Sequence, residues 1–410
     1  MLALVLFINW VDRGSLGTAT PLIKHDLTLT NEQIGRLSLV FFGFYAFMQI
    51  PSGWLAERYG AHRVLAIGLA IWAIATMLTG LASGLAMLLI LRLLLGIGES
   101  AAFPATSKIL AAAVPIEKLG LANGICAFGY SVGPAIGILG GGLLIDRVGW
   151  RGMFVVFGIL SLLWLLPWWA TRLPTLANAA PANDEEAPRW SQVLRQRGMW
   201  GTALGLFSNN YIFYFMLAWL PDYLVSARHF SMHEMEAWGT ASYFVNGFAA
   251  LIVGWAIDRY VQRRGSPNLA YKSVLFVAQI GCIIGMLMMG MGSRSVAIVG
   301  LFAVMLLLGA SSAGVYTMSQ ILAGPRASGR WVGVQNCIGN LSGGFAAWFT
   351  GIIVDRTGSF TGAFITAAVI ATLGAYCWVG MVPKLEPINW KSLRAEPGVR
   401  PTVTVSGGAA

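Results

Sequence analysis

The chain has 410 residues, of which 57% are hydrophobic and 11% charged, with a mean hydropathy of +0.69. A water-soluble domain of this size cannot cover its surface with so little charge, so most of the chain belongs in lipid. The net charge of +10 does not point to nucleic acid, because the basic residues are scattered between apolar runs, and the four cysteines lie inside such runs without CxxC spacing, indicating neither disulfides nor a metal site.

Runs of roughly 20 apolar residues, enough to cross a bilayer, occur in chain order at 1–23, 33–55, 64–82, 85–113, 120–146 and 152–171. The first carries Asp12 and Arg13 in its middle and has no small-residue cleavage site, so it reads as a spanning helix and not as a cleavable signal peptide. A stretch rich in Ala, Pro and charge follows, and six further runs occur at 200–224, 238–257, 272–292, 294–322, 331–354 and 361–383. The expected architecture is an all-α membrane protein of 12 transmembrane helices in two six-helix bundles, 1–175 and 200–384, with a cytoplasmic linker at 176–199 and a cytoplasmic tail at 385–410. With both termini inside, about 18 of the 27 Lys and Arg face the cytoplasm, which supports that orientation.

Two internal echoes suggest that the halves are duplicates. Gly53-Trp-Leu-Ala-Glu57-Arg58-Tyr recurs 201 residues later as Gly254-Trp-Ala-Ile-Asp258-Arg259-Tyr. Gly142-Leu-Leu-Ile-Asp146-Arg147-Val-Gly149 recurs after 209 residues as Gly351-Ile-Ile-Val-Asp355-Arg356-Thr-Gly358. Similar displacements in the same order put a ligand site on the axis between two bundles that rock against each other. In helix 5, Gly129, Gly133, Gly137 and Gly141 recur every four residues, leaving one face nearly bare for a neighbouring helix.

Four ionisable residues fall at mid-membrane depth: Asp12 and Arg13 in helix 1, Arg92 and Glu99 in helix 4. Each costs about 2.5 to 3.5 kcal/mol at a helix centre, so they must pair, face a wet cavity, or both. Two neutralising salt bridges would satisfy that demand. An anion carrier would also use them, because arginine stays charged and offers a planar fork of donors to a carboxylate, while a buried carboxylate can take up a proton when its cationic partner is drawn away. Asp12 and Glu99 are therefore candidates for proton coupling, and Arg13 and Arg92 for binding the anion. Helices 7 and 11 of the second half offer amides and a phenol, Asn209, Asn210, Tyr214, Asn336 and Asn340, suited either to a hydroxylated ligand or to bonding between helices. Trp10 and Tyr45 are further candidates for the cavity wall.

The segment GWLAERYGAHR from Gly53 resembles the loop between helices 2 and 3 that marks the major facilitator superfamily, and the glycine stripe resembles that superfamily's fifth-helix motif. The resemblance implies a gate in which Gly53 and Gly254 permit close helix approach, and in which Glu57, Arg58, Asp258 and Arg259 pair across the cytoplasmic ends. Asn9-Trp10-Val11-Asp12-Arg13, Phe44-Tyr45, and Arg92-Leu-Leu-Leu-Gly-Ile-Gly-Glu99 together resemble the anion:cation symporter family, most sharply its bacterial galactonate, glucarate and hexuronate:proton symporter type. That implies import of a small organic anion, a sugar acid or related carboxylate, by alternating access, in the bacterial inner membrane, with one chain sufficient as a monomer. In that type Asp12 and Glu99 would be the protonatable pair, Arg13 and Arg92 their cationic partners and Tyr45 a ligand contact; Trp10 stands where a tyrosine is common. Catalysis, cofactors and metals are not expected, and the absence of a GxxxxGK[ST] motif leaves an ion gradient as the energy source. A drug or cation exporter would want buried acids without buried arginines, and a sensor that had lost transport would want a longer soluble domain than the tail offers.

Overall fold

The computed structural model describes residues 1–171, 188–263, 265–390 and 392–395, so most of the expected linker and the tail beyond 395 lie outside the described residues. Every described element is helical. The helices are α1 (Leu2–Asp26), α2 (Asn31–Tyr59), α3 (Ala61–Thr79), α4 (Leu85–Glu99), α5 (Ala102–Ala113), α6 (Leu119–Leu163), α7 (Leu165–Ala170), α8 (Trp190–Leu194), α9 (Arg197–Asp222), α10 (Met232–Gln262), α11 (Pro267–Met291), α12 (Arg294–Thr357) and α13 (Thr361–Tyr376).

Among the described residues, nine helical stretches are long and apolar enough to cross a membrane. α4 and α5 run on as one such stretch, Leu85–Ala113. α6 and α12, at 45 and 64 residues, are far too long for one crossing. Each is broken at a glycine with positive φ, Gly149 (φ 69°) and Gly324 (φ 62°), which leaves two segments in each. α1 is 25 residues long and carries its charged pair near the middle. Together these elements are consistent with the twelve expected crossings.

The duplication is visible in local chemistry. Gly149 and Gly358, the last residues of the second echo, both have positive φ, 69° and 64°, a conformation in which a side chain would be strained. α2 and α10 begin with capping boxes at equivalent places: Thr30 with Gln33, and Ser231 with Glu234. Such a box satisfies backbone donors that would otherwise be left unpaired, which carries α10 back to Met232, ahead of the apolar run that starts at 238.

The glycine stripe of α6 receives α1. A Cβ at Gly129, Gly133 or Gly137 would lie 2.6, 2.8 or 2.4 Å from the carbonyl oxygens of Ala3, Phe7 and Val11. That backbone-to-backbone seat fixes the rotation of α1 and turns Trp10 and Asp12 inward. α4 is seated on α2 in the same manner, since a Cβ on Gly96 would lie 2.8 Å from the Phe41 oxygen. Across the molecule, α2 packs on α12 and α10 packs on α6, each pair joining one half to the other.

Candidate functional site

The Arg13 guanidinium lies 4.3 Å from the ring centroid of Tyr45, 4.6 Å from that of Trp10 and 5.4 Å from that of Phe41. Phe41 and Tyr45, four apart on one face of α2, stack on each other at 5.6 Å. Within this box Arg13 Nε donates to Glu99 Oε2 at 2.9 Å, and its terminal nitrogen lies 2.9 Å from the same oxygen. Glu99 is fully buried, with Asn9 beside it.

Arg92, only 4% exposed, makes no ion pair or hydrogen bond among the described residues; its nearby acids are Glu99 and Asp12. Asp12 is 3% exposed, neighbours Thr76, and leaves its Oδ2 without a partner. The four charges therefore form one cluster, but unequally: Arg13 and Glu99 are engaged with each other, whereas Arg92 is held by no direct bond. The i to i+7 spacing of Arg92 and Glu99 puts them on one face of the helix, yet Glu99 bonds across to α1 instead.

A cavity of about 500 Å³ opens from this cluster. Both arginines line it, together with Trp10, Phe41 and Tyr214, and it extends past Ile23 and Ile34 toward the end of the molecule where α1 turns into α2. Next to it, a narrower pocket of about 60 Å³ lies on the axis between the halves. Trp10, Tyr45, Asn209, Asn210, Tyr214 and Asn340 reach its wall, six of the residues singled out from sequence.

Most amides here are committed to partners. Asn209 donates to Ser311 Oγ at 2.6 Å and accepts from Gln279 and Trp378. Asn340 accepts from the Tyr214 hydroxyl at 2.7 Å and donates to the Asn336 carbonyl. Asn336 itself lies behind the wall, accepting from the Tyr316 hydroxyl at 2.8 Å. Asn210, partly exposed to the pocket, makes no side-chain hydrogen bond among the described residues. Sequence reading overlooked part of the aromatic share: Phe103, Tyr130 and Phe213 line this space together with Tyr316, and Phe41 boxes Arg13. The i to i+4 relation of Phe41 to Tyr45 is a signal that could have found it.

At the opposite end the halves meet closely, and the meeting obeys the sequence repeat. A Cβ on Gly53 would sit 2.2 Å from the Gly329 oxygen, and one on Gly254 would sit 2.5 Å from the Gly120 oxygen. Beside them Glu57 accepts from the Arg330 backbone N–H at 2.8 Å, and Asp258 accepts from the N–H groups of Gly120 and Leu121 at 2.9 and 2.7 Å. Both carboxylates thus receive backbone donors from the opposite half, and Asp258 caps the first turn of α6, where the helix dipole favours a negative charge. Among the described residues only the first has a cation: Arg330 Nε lies 2.8 Å from Glu57 Oε2, and its guanidinium also donates to the Pro188 carbonyl. Arg58 lies against Trp54 and Tyr59, and exposed Arg259 lies against Trp255; the described ion pair between Glu57 and the other half is made by Arg330, which sequence reading did not select. The signal was present: Gly329 and Gly333 repeat Gly120 and Gly124 at the 209-residue displacement of the second echo.

Between this closed end and the pocket lies a layer of neutral polar groups. Asn123 of the first half donates to Thr317 and Gln320 of the second at 2.9 and 2.7 Å, and Ser107 meets Ser328 at 3.1 Å.

The sequence profile of the Major Facilitator Superfamily matches residues 2–347. The chain belongs to this superfamily. It is 28% identical, over 94% of its length and 93% of the other, to the probable sulfoacetate transporter SauU of Cupriavidus necator. It is 30% identical, over 97% and 95%, to the probable galactarate/D-glucarate transporter GudP of Escherichia coli. The solved proton:xylose symporter XylE superposes with a TM-score of 0.76 at 14% identity, covering 94% of this chain and 96% of that one, which establishes the shared major facilitator fold. The superfamily and these relatives are transporters, not enzymes, and the chain is a multi-pass membrane transporter.

Proposed function

We propose that this transporter imports a small organic anion, a sugar acid or related carboxylate, together with protons. The observation that carries the reading is the unequal pair of arginines at the bottom of the large cavity: Arg92 without a bonded partner among the described residues, and Arg13 held by Glu99. The relatives named for sulfoacetate and for galactarate/D-glucarate agree with an anionic cargo.

An entering carboxylate meets Arg92 first, because no internal bond has to break there. A second contact, to Arg13, competes with Glu99 for the same guanidinium. As Arg13 turns toward the anion, Glu99 loses its partner in a dry setting, where the ionised form is costly, and it takes up a proton. Asp12, between Arg92 and Thr76, is the second group that exchanges a proton. With charge neutralised the halves can rock past each other, and on the far side proton release restores the Glu99 to Arg13 pair and expels the anion. In this scheme residues 1–175 and 200–384 are the rocking halves, both termini are cytoplasmic in a bacterial inner membrane, the Glu57 and Asp258 end is the cytoplasmic gate, and one chain suffices.

The test is uptake of labelled organic acids, including galactonate, glucuronate, glucarate and hydroxybenzoates, into proteoliposomes with and without an inward proton gradient. Accumulation of an acid only with the gradient is the expected result. If the gradient drives uptake of none, the arginine cluster is a structural staple and the proposal fails.

A further inference from the structure

The walls of the site say what kind of body the carried anion has. Seven of the fifteen side chains lining the axial pocket are aromatic. Its polar groups are mostly spent: Asn209 and Asn340 are bonded at both ends of their amides, and Asn246 accepts from Ser131 and donates to the Met305 carbonyl. The hydroxyls of Tyr45 and Tyr130 lie against Arg13 and Gln49 and against Ser312, so among the described residues two N–H donors are left on the wall, the Asn210 amide and the indole N–H of Trp10, which is buried without a partner. The large cavity beside it is no more hospitable to hydroxyls, since apart from the arginines and the Trp10 indole its polar side chains are Thr20, Ser38 and Tyr214.

A polyol entering such a place would lose its water and find few groups to replace it, and leaving buried hydroxyls unpaired opposes binding strongly. A flat ring would lose little water and gain stacking against Tyr45, Phe103, Tyr130 or Tyr316. We infer that the substrate is an aromatic carboxylate carrying at most one or two further polar substituents, its carboxylate toward Arg92 and Arg13 and its ring among the pocket aromatics. The Trp10 N–H and the Asn210 amide would meet a ring hydroxyl or carbonyl. This rests on the anion reading above and narrows its substrate class.

The experiment compares gradient-driven uptake of benzoate, 4-hydroxybenzoate and 4-hydroxyphenylacetate with that of galactonate and glucarate by the full-length protein. At least one aromatic acid should be accumulated with a KM ten-fold or more below that of either sugar acid, and unlabelled aromatic acids should compete while galactonate does not. Phe103→Leu, which keeps apolar bulk but removes a ring, should raise the aromatic KM several-fold while the thermal melting of the purified protein stays within a few degrees. Sugar-acid uptake with no transport or competition by aromatic acids would overturn the ring and leave organic-anion transport standing. No gradient-driven uptake of any acid would overturn both, and an unchanged aromatic KM in Phe103→Leu would count against the ring's place in the pocket.

Discussion

Arg13 is held by more than its charge. Three rings surround its guanidinium and Glu99 takes two of its nitrogens, so its planarity matters as much as its sign. Arg13→Lys keeps the charge but loses the stacked plane and the twin contact to Glu99; uptake is expected to fall at least ten-fold while the protein still purifies in folded form. Arg92→Ala should abolish binding without the penalty of a broken ion pair, because Arg92 makes no hydrogen bond or ion pair among the described residues, whereas Arg13→Ala leaves Glu99 buried without its cation and should cost about 3 to 5 kcal/mol of stability. Thermal melting of the two variants separates these cases: a similar loss in both would show that Arg92 is as structurally engaged as Arg13. Glu99→Gln should retain exchange of substrate across the membrane yet lose accumulation driven by a proton gradient. Charges at mid-membrane depth are legible in sequence because lipid makes each one costly. Which carboxylate meets which arginine is not, since that depends on the rotation of α1 against α6 and of α4 against α2.

At the scale of elements, glycine positions carried most of the readable fold. The stripe on α6 demanded a close neighbour, and α1 occupies it, while the repeated echoes marked equivalent turns and contacts in the two halves. Hydropathy alone was a poorer guide to helix ends, because α2 and α10 start from polar capping boxes that no apolar window registers. Arg330 was also invisible to hydropathy: its role follows from Gly329 and Gly333 beside it, which repeat Gly120 and Gly124, and from Glu57 across the interface. Gly53→Ala and Gly254→Ala each place a methyl carbon within 2.2 to 2.5 Å of a backbone oxygen of the other half, a contact that only separation of the halves can relieve. Both variants should therefore fold but disfavour closure at this end. In contrast, Gly43→Ala, with open space around its Cβ position, is expected to behave as wild type in transport and melting.

For the whole molecule, the two ends differ in kind. One is shut by paired glycine contacts, two capped carboxylates and a cross-half ion pair; toward the other runs a 500 Å³ cavity lined by the arginines. The proposed transport cycle must break the first set of contacts, and their asymmetry bears on where it yields: among the described residues the Glu57 side loses a buried ion pair with Arg330, whereas the Asp258 side loses hydrogen bonds. Cys126 reports on this motion because it is buried in the narrow space between pocket and gate, near Asn123 and Gln320. In the wild-type protein it should react slowly with a membrane-permeant maleimide. Arg330→Ala leaves Glu57 buried without its cation, and labelling of Cys126 should then accelerate several-fold, with Cys126→Ser as the control for the other buried thiols. Glu57→Gln should accelerate it less, since a neutral amide oxygen can still accept from the Arg330 backbone N–H. Equal labelling rates in all three gate states would mean that this end does not open by separating at Glu57, and the alternating passage would have to be sought on the Asp258 side.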